Sequence, residues 1–208
     1  MVQVESVGPP FNRAPPDAAM LGFLLLIRAE TMGLLPEGVE GPTRLDEHLL
    51  HGLAAKLRSA VVATVPAARL ETARGKKLAQ ALSDVLAAVD ASPYPAGEWE
   101  PARKMLGDDL LSVLVGGISP SSLRRYAKGE RATPDEVAWR LHVLARIIAA
   151  IRGSYNDYGV RRWFERPRAQ LGGNTPGKVL LDADSEEDQG VADVVGLAEA
   201  LIGPGNAT

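Results

Sequence analysis

The side chains best suited to chemistry in this sequence are hydroxyls and cations gathered in one short stretch: Ser119, Ser121, Ser122, Arg124, Arg125, Lys128 and Arg131. Hydroxyls exchange hydrogen bonds with bases or phosphates, Arg forks bidentately onto guanine, and Lys and Arg neutralise phosphates. The set therefore fits a contact with double-stranded DNA, Lys128 and Arg131 being expected on phosphates. Charge supports the placement. The formal net charge is -3, yet it is unevenly spread. Residues 1–100 hold 9 Lys and Arg against 12 Asp and Glu, residues 101–168 hold 13 against 7, and residues 169–208 hold 1 against 7. The basic excess coincides with the hydroxyl-rich stretch, which confines any polyanion contact to the middle of the chain.

Other chemistry is sparse. His48 and His51 stand three apart beside Asp46 and Glu47, but a closed metal site needs more ligands, and no metal is expected. With no cysteine, disulfides, thiolate metal sites and cysteine nucleophiles are excluded. No Ser has a nucleophile setting, and Asp108 and Asp109 fall in a first helical turn, where the helix dipole favours acids. The sequence thus reads as a non-enzyme without a cofactor. The run from Gly172 to Lys178 matches a phosphate-loop spacing and fails at the next residue. Val179 stands where Ser or Thr would ligate Mg²⁺, Pro176 lacks an amide, and the preceding residues are too polar for a buried strand.

These residues need elements to position them, and the chain of 208 residues, 46% hydrophobic and 24% charged, is ordinary globular protein. No stretch alternates with period two, so an all-α fold is expected: a helical N-terminal segment, a helix-turn-helix middle and a small helical C-terminal domain. Residues 1–16, with Gly8, Pro9, Pro10, Pro15 and Pro16, are expected to form a flexible arm without regular backbone pairing. Residues 17–92 read as a helical domain of unknown role. Its helices are expected over 17–33, capped by Asp17, then from Thr43 with a Leu stripe ending before Pro66, then over 67–91. Three prolines mark 92–101 as a linker and domain boundary. The apolar run 18–27 is half the roughly 20 residues a bilayer requires, and no secretory start precedes it. A cytoplasmic protein with no membrane partner is expected.

Residues 101–153 spell a helix-turn-helix. Leu106, Leu110, Leu111 and Leu114 mark a first helix, Gly116 and Gly117 a tight turn, and Ile118 a core plug. Ser119 caps a second helix that Pro120 opens, with Leu123 and Tyr126 inward and the cations outward, until Gly129. Thr133 is expected to cap a long third helix carrying Val137, Leu141, Leu144, Ala145, Ile148 and Ile151. The competing reading is a plain helical hairpin with a solvated basic face. Trp139 falls off the long helix's stripe, facing either its own core or a second domain or subunit.

Downstream, Pro167 ends a helix carrying Trp163 and Phe164, Gly172 and Gly173 reverse the chain, and Thr175 and Pro176 restart it. The string WFERPRAQLGGNTPGKVL, with the helix-turn-helix before it, resembles the Xre/MbcA/ParS-type antitoxins of type II toxin-antitoxin systems over residues 101–205. The resemblance implies that residues 154–208 form a toxin-binding and homo-oligomerising domain with Trp163, Phe164, Leu171, Gly172, Gly173, Pro176, Leu201 and Ile202 at the partner site. It further implies a cognate RES-domain toxin acting on NAD, a tail over 202–208 that obstructs the toxin's active site, and autoregulation through binding of an operator. The helical segment before residue 101 and the acidic stretch 185–188 depart from the family's pattern. The alternative is a stand-alone transcriptional regulator or nucleoid-associated protein that uses the C-terminal domain to oligomerise.

Overall fold

Val2 and Phe11 are buried, so the proline-rich start of the chain is anchored rather than loose. In the computed structural model, which describes residues 2–202, strand β1 (Gln3–Val7) pairs in parallel with β2 (Pro42–Leu45), Gln3 opposite Pro42 and Val7 opposite Leu45. This corrects the expected flexible arm. The prolines lie after the strand, where their missing amides interrupt no ladder bond. Everything else regular among the described residues is helical, so the all-α expectation holds with this one small exception.

The chain divides into two units, residues 1–94 and 95–208. The first contains α1 (Pro16–Thr31), α2 (Glu47–Ser59), α3 (Thr64–Leu70) and α4 (Lys76–Asp90). Pro16 opens α1, leaving Asp17 in its first turn rather than at its cap. Thr43 belongs to β2, and α2 starts after Asp46, whose side chain accepts from the Leu49 amide at 3.1 Å. The single helix expected over 67–91 is two, broken before Gly75 (φ 55°). Leu25, Leu50, Leu53, Leu57, Leu70 and Leu78 fill the core, and Arg28 Nε lies 2.7 Å from Asp90, joining α1 to the end of α4.

The second unit contains α5 (Pro95–Leu114), α6 (Pro120–Ala127), α7 (Asp135–Ile151), α8 (Asp157–Glu165), α9 (Pro176–Asp182) and α10 (Gln189–Glu199). The expected linker over 92–101 is mostly the start of α5: Pro95 takes the first helical position and Pro101 is carried within the helix. Gly107 (φ 74°, ψ 160°) bends α5 sharply, so that its second part begins at Asp108. Helix α7 packs against both α5 and α10. Leu141, His142, Val143, Leu144 and Ala145 are buried in succession, so α7 is enclosed on every side and not only along the stripe read from sequence. Its two buried polar side chains have partners. His142 Nδ1 lies 2.6 Å from Glu98 Oε1, both side chains fully buried, and Arg140 donates to the carbonyls of Leu180 (2.6 Å) and Ala183 (2.7 Å). Residues assigned from sequence to separate domains, 101–153 and 154–208, share a single hydrophobic core running from Trp99 to Ala198.

Candidate nucleic-acid interface

The turn into α6 is made by Gly116 (φ 108°) and Gly117 (φ 70°), left-handed conformations that a side chain disfavours. It closes with a bond from the Ile118 amide to the Ser112 carbonyl at 3.0 Å, and Ile118 packs against the core. Ser119 then caps α6. Its Oγ accepts from the Ser122 amide at 3.1 Å and shares hydrogen bonds with the hydroxyls of Ser121 (2.9 Å) and Ser122 (3.0 Å). Ser119 is therefore committed to starting the helix. At the other end Gly129 (φ 69°) reverses the chain, with Gly129 N bonded to Tyr126 O and Glu130 N to Arg125 O, the Schellman pattern.

Two side chains fasten α6 to the unit. Leu123 is fully buried, and Tyr126 stacks on Trp99 with ring centroids 6.1 Å apart. Trp99 Nε1 in turn donates to Thr133 Oγ1 at 3.0 Å. Thr133 is thus an anchor for Trp99, not the expected cap of α7, and Pro134 takes the cap position without a side-chain bond. Trp139 packs partly buried against its own unit's core, with the Arg140 guanidinium 4.4 Å over its ring.

With one side of α6 fixed inward, Ser121, Arg124, Arg125 and Lys128 are exposed together on the other, and Ser122 is half-buried beside them. Arg131 is exposed after the reversal, 5.4 Å over the Tyr126 ring. The structure thus gathers the cations read from sequence around one short helix. It adds a carboxylate that the sequence reading assigned only to the helix dipole. Asp108 accepts from Arg103 Nε at 2.8 Å and Nη2 at 3.3 Å, and Arg124 Nε approaches it to 3.6 Å. The hydrogen bond from Arg103, outweighing the effect of burial, holds the Asp108 carboxyl below its ordinary pKa and raises that of Arg103. Asp109 is held low as well, first by the Leu110 amide and then by Arg161.

Arg161, on α8, is a residue that sequence reasoning missed. It donates to the Leu106 carbonyl and, at 2.8 Å, to Asp109, spanning the bend of α5. Gly107 permits this approach, since a Cβ there would stand 2.5 Å from the Arg161 guanidinium. The sequence signal was present as Gly107-Asp108-Asp109, a break followed by acids suited to a new first turn.

The corner expected to bind a partner is largely interior. Trp163 and Phe164 are 2% and 1% exposed and meet edge to face at 5.3 Å, while Leu171 and Pro176 are also buried. They lie inward because α8 packs against both α5 and α9. As folded, these four side chains build the surface from beneath and do not form it. Gly172 (φ 62°) and Gly173 (φ 85°) are exposed at the reversal, and Leu201 and Ile202 lie half-buried against the same core. Thr175 Oγ1 accepts from the Lys178 amide at 3.1 Å and caps α9 as expected. Gly177 brings α9 close to its neighbours: a Cβ there would meet Phe164 O at 3.0 Å and Leu114 Cδ2 at 3.1 Å. Residues 203–208, most of the tail expected to reach a toxin's active site, lie outside the described residues.

Among the described residues no group of three or more His, Cys, Asp or Glu side chains is arranged to hold a metal, and no helix is long and apolar enough to cross a membrane. Comparison with family models, curated proteins and solved structures yields no match for this chain.

Proposed function

We propose that residues 95–208 form a reader of double-stranded DNA, and that the chain is an antitoxin which binds a cognate toxin of the RES type and represses its own operon. The observation that carries the DNA reading is α6 itself. It is a Ser-capped helix, entered through a Gly-Gly turn, fixed inward by Leu123 and Tyr126, with Ser121, Arg124, Arg125 and Lys128 exposed together. A major groove about 12 Å wide accepts such a helix. The antitoxin reading draws on the resemblance of the Trp163 to Pro176 corner. Burial of Trp163, Phe164, Leu171 and Pro176 favours a second reading, in which the corner is a structural support and the protein acts alone as a regulator.

The two readings separate by experiment. An antitoxin co-purifies with the product of the neighbouring gene and protects cells that express it. A shift assay on the DNA upstream of its own coding sequence tests the interface: Arg124→Ala with Arg125→Ala abolishes the shift and leaves protection intact. Unchanged DNA affinity would sink the assignment of α6.

A further inference from the structure

We infer that the two arginines of α6 divide their work, Arg124, beside Asp108, meeting the phosphate backbone and Arg125 reading a guanine edge, while Asp108 lowers affinity for any duplex. This inference rests on the duplex-DNA reading above. Successive helical residues stand about 100° apart. Arg124 and Arg125 therefore flank, on opposite sides, the outermost line of α6 that Ser121 and Lys128 mark.

Their surroundings differ. Arg124 stands 3.6 Å from Asp108, whose carboxylate also takes two hydrogen bonds from Arg103, and Arg103 lies 3.6 Å from Glu100. Arg124 is thus the end of a chain of alternating charges along α5. Arg125 is exposed and has no side-chain partner among the described residues. Bidentate recognition of guanine uses the planar fork of a guanidinium on O6 and N7 together, which requires that fork to be free. Arg125 meets that condition along both edges of its guanidinium, whereas Arg124 turns its Nε edge toward Asp108 at 3.6 Å. Arg124 instead exchanges one anionic oxygen for another when a phosphate arrives, a contact that carries no base information. Asp108 also places a negative charge beside the path of the DNA backbone, which lowers affinity for any duplex regardless of sequence. It acts through Arg124 and by repulsion, and is a positioning residue.

The test is selection of binding sites by the full-length protein from a duplex pool with a randomised core, paired with the salt dependence of binding to the unselected duplex. Wild type enriches a motif containing guanine. Arg125→Ala loses the preference at that guanine. Arg124→Ala keeps the motif and reduces the slope of log affinity against log salt by about 1. Asp108→Asn keeps the motif and binds the unselected duplex several-fold more tightly. The inference is overturned if Arg124→Ala erases the motif while Arg125→Ala preserves it, or if Asp108→Asn leaves non-specific affinity unchanged. Failure of the wild type to bind any duplex overturns the DNA reading and this inference together, whereas a motif indifferent to both arginines overturns the inference alone.

Discussion

Single side chains decide how α6 is presented. Ser119 Oγ accepts from the Ser122 amide and donates to Ser122 Oγ, so its hydroxyl is engaged within the first turn of α6. Replacing it with Ala removes an N-cap, a loss of about 1 kcal/mol, and a thermal melt of Ser119→Ala is expected to fall by several degrees while Ser119→Asp stays near wild type. Gly107 is the stricter case. Its φ of 74° with ψ of 160° lies in a region open essentially to glycine alone, and a Cβ would also strike Arg161. Gly107→Ala is expected to cost about 1–3 kcal/mol in denaturant unfolding; an unchanged midpoint would show that α5 does not bend there. The carboxylates beside the bend give a pH signature. Asp108 and Asp109 have folded pKa values below their unfolded ones, so their contribution is complete above the unfolded value near 3.9 and is lost as pH falls through the folded values. Stability is expected to decline below about pH 4, and Asp108→Asn is expected to flatten that acid limb.

Elements were legible in the sequence where their signals are local. Gly116-Gly117, Ser119-Pro120 and Gly129 are backbone and capping devices that act within a few residues, and α6 starts and stops where they place it. Pairing of β1 with β2 joins residues nearly forty positions apart, and no short-range pattern marks it. Proline at Pro95 and Pro101 signals a break only when the helix context is unknown: Pro95 sits in the first turn of α5, where the missing amide costs nothing, whereas Pro101 lies inside the helix and forgoes one backbone bond there. The burial of Trp163 and Phe164 was hidden for a related reason, since it depends on how closely α9 approaches at Gly177. The turn between α2 and α3 offers a check on strain: Val61 is 82% exposed with φ 59°, an unfavourable conformation for a β-branched residue. Val61→Asn, which tolerates that conformation, is expected to raise stability by up to about 1 kcal/mol, read as a higher melting midpoint.

At the scale of the whole molecule, the stretch from α5 to α7 is not separable from the segment that follows it. Leu111, Leu123 and Leu141 share one core with Val160, Trp163 and Val194, and Arg140 and Arg161 bind backbone on the far side of that partition. Residues 95–208 expressed alone are expected to fold cooperatively, whereas residues 95–153 are expected to lose near-ultraviolet dichroism and a cooperative melt, because the Trp163 and Phe164 side of the core is gone. The central claim, that the exposed cations of α6 meet duplex DNA, is tested most directly by fluorescence anisotropy with a random-sequence duplex over a series of salt concentrations. Wild type is predicted to bind with affinity falling steeply as salt rises, and the Arg124→Ala, Arg125→Ala double variant, equally folded, to bind at least tenfold more weakly with a shallower slope. Equal affinity and equal slope for the two proteins would contradict it.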